Sequence, residues 1–109
     1  MKLFKLLSVS VLLAGLFSCQ SHNEVTVTLV QYNVGAFKKY EASGIEGIAR
    51  VARELGADVL TLNEIDSCTT RTGKVDQLAA FAQEMDGWNH HYAAAMPYRG
   101  GAYGVGVAS

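Results

Sequence analysis

A β-branched run, an amphipathic stripe and a second apolar run follow one another between Val25 and Asn63, and this order restricts the chain more than any other feature. The first run, Val25-Thr-Val-Thr-Leu-Val-Gln-Tyr-Asn33, alternates at its start and is rich in β-branched residues, which predicts a strand. Leu29 and Val30, apolar and adjacent, predict burial on both faces at that point. Ser43 with Glu46 three residues later matches a capping box, in which the Ser oxygen takes an orphan backbone N–H and the Glu side chain returns to the N–H of the cap. A helix is predicted from there. Ile45, Ile48, Val51, Ala52 and Leu55 recur at three-and-four spacing and turn one stripe to the core, while Glu46, Arg50, Arg53 and Glu54 face water. Gly56 ends the helix, because it adopts positive φ without a Cβ clash. Asp58-Val-Leu-Thr-Leu-Asn63 then has strand length and composition. Strand, helix and strand with short joints make a βαβ unit, whose parallel strands bring the loops that follow them to one edge of the sheet.

The rest of the chain continues an α/β pattern. Ser67 to Lys74 is polar and reads as a loop. From Val75 the spacing of Val75, Leu78, Phe81, Ala82 and Met85 predicts a second amphipathic helix, stopped by Gly87. Trp88 to Ala95 and Tyr103 to Ala108 read as a strand pair joined by a turn over Met96-Pro-Tyr-Arg-Gly-Gly101.

Composition sets limits on function. Half of the 109 residues are hydrophobic and 17% are charged, which fits one small globular domain and argues against a disordered chain. A formal net charge of −1 with no basic run argues against a sequence-independent nucleic-acid clamp. Residues 1–18 carry only Lys2 and Lys5 as charges, followed by the apolar run Leu6 to Phe17. That run is shorter than the ~20 residues needed to span a bilayer and reads as an export signal. It ends in Leu16-Phe17-Ser18-Cys19, which resembles the bacterial lipobox; the other reading is an ordinary secretory signal with a chance cysteine. On the lipobox reading Cys19 is acylated and anchors the protein to a cell-envelope membrane, residues 19–24 form a polar tether, and residues 25–109 form the exported domain. Cys68 then has no partner for a disulfide and is expected to be a partly buried, inert thiol.

Chemistry in an open α/β sheet gathers at the carboxyl ends of the parallel strands, where Asn33 and Glu64 fall. A carboxylate fixed there is suited to a hard divalent cation that takes oxygen donors and retains waters, and an adjacent amide can orient it. On the residues alone, Glu64 serves at least as well as a solvent-facing strand end, and Asn33 reads better as a turn former than as a catalytic amide. His90 and His91 are adjacent in a strand, point to opposite faces and cannot share one centre.

Leu29-Val-Gln-Tyr-Asn-Val-Gly35 followed by Ala57-Asp-Val-Leu-Thr-Leu-Asn-Glu-Ile-Asp66 resembles the endonuclease/exonuclease/phosphatase superfamily in order and spacing. Asp66 to Gln77, with Thr70-Arg71-Thr72-Gly73, is similar to the branch that includes sphingomyelinase-like phosphodiesterases, and Gly100 to Ser109 to that branch's glycine-rich strand. Asn63 stands where the family has Gln, and Val105 where it has Asn. The resemblance covers residues 25–109. It implies the amino-terminal portion of a four-layer α/β/β/α sandwich, with Glu64 as the ligand of a catalytic Mg²⁺ or Mn²⁺ and Asn33 as an active-site amide. It also implies Arg71 as a possible contact to the phosphate of a phosphoester substrate, although on the residues a solvated loop side chain is the stronger reading. The family's Asp-x-Asn motif and its late Asp and His are not in this sequence, so the chain is expected to be an inactive portion of an exported phosphoesterase. The competing expectation is a small lipid-anchored binding domain without catalysis. A nucleotide-binding βαβ protein would need a Gly-rich loop, and residues 34–44 hold only Gly35 and Gly44.

Overall fold

The computed structural model describes residues 23–38 and 44–109; the expected export signal with Cys19 and the expected Ser43 cap lie outside the described residues. Its strands are β1 (Leu29–Asn33), β2 (Val59–Ser67), β3 (His90–Tyr98) and β4 (Gly101–Ala108), and its helices are α1 (Gly44–Glu54) and α2 (Gln77–Glu84). Single 3₁₀ turns lie at Gly35–Phe37 and Thr70–Thr72. β1 pairs parallel with β2, and β4 runs antiparallel between β2 and β3, in the order β1-β2-β4-β3. The result is an α/β domain, a mixed four-stranded sheet with two helices and a βαβ start.

The core follows the two periodicities read from the sequence. Ile48, Ala49 and Ala52 from α1 and Leu78, Phe81 and Ala82 from α2 are buried, and they share the interior with Leu60, Leu62 and Ile65 of β2. Phe81 stacks on Phe37, with ring centroids 6.1 Å apart. On β4 the alternation leaves Val105 and Val107 exposed while Gly104 and Ala108 are buried, so one sheet face carries the helices and the other is open.

Several boundaries differ from expectation, each for a local reason. The first strand begins at Leu29 rather than Val25, because its parallel partner begins at Val59, opposite Leu29. Val25 and Val27 are exposed, and so is Leu29, so β1 is covered only on the Val30 face and not on both as expected; the Asp58 carboxylate accepts the Thr28 N–H at 2.7 Å in place of a further ladder bond. Leu55 is exposed rather than core, since the reversal at Gly56, with φ at +62°, brings Ala57 inward instead. Val75 is exposed and precedes the second helix, because the Cys68 N–H donates to the Val75 carbonyl and a bridge joins Ser67 to Asp76, holding this stretch extended. Cys68 is exposed, not partly buried, at a residue with φ of +55°. The third strand starts at His90 and runs through Met96 and Pro97 to Tyr98, so the expected long turn shrinks to Arg99 and Gly100, both at positive φ as a tight hairpin requires. Pro97 is tolerated because β3 is a sheet edge.

Asp76 caps α2 by accepting the Ala79 N–H at 3.1 Å. Asp76→Ala is expected to lower stability by about 1 kcal/mol, read as a shift in the urea midpoint at constant slope.

Candidate functional site

β1 ends at Asn33, paired to Asn63, while β2 runs on to Ser67. From there the chain makes an unusual move. Leu60 and Leu62 face the core, and a strict alternation would send Glu64 after them. Instead β2 carries a bulge: Asn63 lies opposite Val105 and Ile65 opposite Gly104, leaving Glu64 without a counterpart on β4. Glu64 sits at φ +60°, a left-handed conformation that costs a non-glycine residue on the order of 1 kcal/mol or more. Ile65 therefore takes the core place, fully buried, and the carboxylate is turned out to the strand edge.

There it meets Asn33. The Asn33 Nδ2 donates to Glu64 Oε1 at 2.9 Å, and Asn33 Oδ1 accepts the Gly35 N–H at 3.0 Å. The amide is thus fixed at both ends, which leaves Glu64 Oε2 free of the Asn33 bond. Of the sequence-predicted residues, the structure brings Asn33 and Glu64 into direct contact.

Arg71 shares the same cleft, a space of about 550 Å³ lined by Gly35, Lys38, Glu64, Arg71, Tyr98 and Tyr103 among others. It is no loosely solvated loop side chain. Its Nε and Nη2 donate to the two carboxylate oxygens of Asp66, both at 2.7 Å, in a bidentate fork. The Thr69 hydroxyl donates to Asp66 Oδ2 at 2.6 Å. Asp66 is fully buried, and the hydrogen bonds from Arg71 hold its carboxyl below the usual range against the opposing push of burial. The same pairing raises the affinity of Arg71 for its proton, so its charge is permanent. The guanidinium lies 4.7 Å from the Tyr98 ring centroid and 5.7 Å from that of Tyr103. Lys38 Nζ donates to the Arg71 carbonyl. Arg71 Nη1 takes no part in the fork, and Arg71 and Lys38 put two cationic side chains in the lining of the cleft that also holds Glu64. Burial raises the Tyr103 phenol, assisted by the charge of Glu64, so its hydroxyl stays protonated.

The sequence reading did not single out Asp66, Lys38, Tyr98 or Tyr103. Asp66 carried a usable signal, a second acid two residues after Glu64 in a mostly apolar strand run, with an arginine five residues on. His90 and His91 lie on β3, paired opposite Ala108 and Val107, away from this cleft. Among the described residues no group of three or more His, Cys, Asp or Glu is arranged to hold a metal. A cation at Glu64 would rest on one protein carboxylate, completed by water and phosphate oxygens. That donor set suits Mg²⁺ or Mn²⁺, which keep several waters, rather than zinc or calcium.

No protein-family model matches the chain, and no curated protein or solved structure does.

Proposed function

We propose that the edge formed by Asn33, Glu64 and Arg71 is the metal- and phosphate-binding part of a divalent-metal-dependent phosphoesterase, exported and held at a membrane through acylated Cys19. The observation that supports this most is the Asn33 to Glu64 hydrogen bond at the carboxyl end of the parallel pair, made by a glutamate kept in a strained bulge. Strain of that kind persists where a site needs it. A bound Mg²⁺ or Mn²⁺ would neutralise charge on the phosphate oxygens and orient water for in-line attack. Glu64 would hold it, with Asn33 fixing the carboxylate rotamer. Arg71, anchored by Asp66, would offer Nη1 to a non-bridging oxygen, and Lys38 adds positive charge to the same cleft. Asp66 is committed to Arg71, so it is not available as a base; the role assigned to these residues is binding and charge stabilisation. In this reading the domain is the amino-terminal part of an α/β/β/α sandwich, and the open sheet face with Val105 and Val107 is where a second sheet would lie.

The test is a Mn²⁺ titration of the ¹⁵N-labelled protein with and without inorganic phosphate. Paramagnetic broadening should centre on Asn33, Gly35 and Glu64 and tighten when phosphate is present. Glu64→Gln, isosteric but neutral, should weaken Mn²⁺ at least about 10-fold, equivalent to ~1.4 kcal/mol. Broadening spread over the surface, or unchanged in the variant, would sink the assignment.

A further inference from the structure

We infer that Gln77 is a positioning residue, a buried amide that clamps together the two backbone segments carrying Asn33 and Glu64. This rests on the functional reading above and extends it to the first residue of α2. Gln77 is 5% exposed, and both ends of its amide are engaged. Its Nε2 donates to the Ala36 carbonyl at 2.8 Å, and its Oε1 accepts the Asp66 N–H at 2.9 Å.

Each bond meets a specific need. The turn after Asn33 passes through Gly35, Ala36 and Phe37 at φ of 52°, 54° and 54°, three successive residues in the left-handed region. Two of them carry a Cβ, so the turn needs support from outside itself. Gln77 supplies it at Ala36. The Gly35 N–H inside that turn is the group that orients Asn33 Oδ1, and Asn33 Nδ2 in turn holds Glu64. On the other side, β1 ends at Asn33, opposite Asn63, so β2 has outrun its parallel partner by Asp66. The Gln77 Oε1 takes the Asp66 N–H there, two residues beyond the bulged Glu64. One side chain therefore imitates a peptide group, bonding the β1 exit turn on one side and the β2 exit on the other. The spacing of Asn33 from Glu64 is set between those two bonds.

The sequence separations explain why only the fold reveals this. Gln77 reaches 11 residues back for one partner and 41 for the other. A purely structural core residue would be replaceable by an apolar one of equal volume, at a cost in stability alone. A positioning residue must change the site.

The experiment compares Gln77→Met, which keeps length and volume but removes both hydrogen bonds, with Met85→Ala, a buried change at the far end of α2. Two readouts are taken on ¹⁵N-labelled protein: the shift of the Asn33 side-chain amide without metal, and Mn²⁺ affinity by paramagnetic broadening. In Gln77→Met the Asn33 amide pair should move toward the position of a free amide, and Mn²⁺ affinity should fall about 10- to 100-fold, the range seen when groups supporting a metal ligand are lost. Met85→Ala should lower the melting temperature and leave both readouts in place. If Gln77→Met does not fold, Gln77→Glu serves: it keeps an acceptor for Asp66 N–H but sets a carboxylate oxygen against the Ala36 carbonyl, and the same two changes are expected. Parental Asn33 shifts in either folded variant would overturn the inference, as would unchanged Mn²⁺ affinity in a protein where Glu64→Gln abolishes it. Should Glu64→Gln itself bind Mn²⁺ as the parent does, the metal reading falls, and the Asn33 shift alone decides the clamp.

Discussion

Asp66→Ala is expected to destabilise the domain by about 3 kcal/mol and to remove the phosphate binding proposed for the cleft. Removing one member of a buried ion pair costs more than the pair contributes, because the remaining charge keeps its desolvation penalty and loses its partner. Here the stranded group is Arg71, whose side chain is 32% exposed, so water recovers part of the loss and the effect falls at the lower end of the usual range. The functional consequence is larger than the energy suggests. Arg71 is held over Tyr98 and Tyr103 by the two-point fork to Asp66, and without it the guanidinium is free to leave the cleft wall. On the proposed reading, phosphate enhancement of Mn²⁺ binding should vanish while binding of the ion at Glu64 persists.

The same pair gives an acid limb with a definite sign. Hydrogen bonds from Arg71, then Thr69, hold the Asp66 carboxyl below its ordinary value, so the folded state binds this proton less readily than the unfolded chain does. The stabilisation is therefore complete above the unfolded value of about 3.9 and is lost as pH falls through the depressed folded value. Urea midpoints of parent and Asp66→Ala, measured from pH 7 to pH 2, should converge only at the acid end. Parallel curves would show that the Asp66 proton is not coupled to folding.

How much of this was legible follows from the range of each interaction. The βαβ start was readable because its signals are local: β-branched residues in β1, a three-and-four stripe in α1, and Gly56 where the chain needs positive φ. Asn33 and Glu64 were readable because parallel pairing alone sends both to one edge. The bulge that aims Glu64 was not, since it depends on register with β4, some forty residues later. Arg71 read as a solvated loop side chain because its partner is a buried strand acid whose orientation depends on the same bulge. Val75 and Leu55 fit their helical stripes by spacing, and tertiary detail removed both from the core: the Ser67 to Asp76 bridge at one, the Gly56 reversal at the other. Pro97 argued for a turn, yet at a sheet edge its absent N–H costs no ladder bond.

Gly104→Ala should be as damaging as the loss of Asp66, at about 3 kcal/mol, although it adds only a methyl group. β4 is flanked by two bulges, Glu64 on β2 and Ala95 on β3, and Gly104 lies between them, opposite Ile65 on one side and Ala94 on the other. A Cβ at position 104 would lie 2.1 Å from the Ala93 carbonyl oxygen and 3.0 Å from the Ala94 Cα. These are backbone atoms of a paired strand, which cannot swing aside as a flexible side chain does. Relief requires β3 to withdraw or β4 to slide, and a slide of β4 changes the register that leaves Glu64 out of the ladder. Stability and site geometry should therefore fail together: a lower urea midpoint, with loss of localised Mn²⁺ broadening at Asn33 and Glu64 under conditions where the variant is still folded. Val107→Ala, on the exposed face of the same strand, should change neither by more than about 0.5 kcal/mol. If Gly104→Ala behaved like Val107→Ala, the bulged register would not be what holds Glu64 at the edge; if it lost stability but retained the site, the β2 bulge would be stable without β4, and Gln77 and Asn33 would be its main supports.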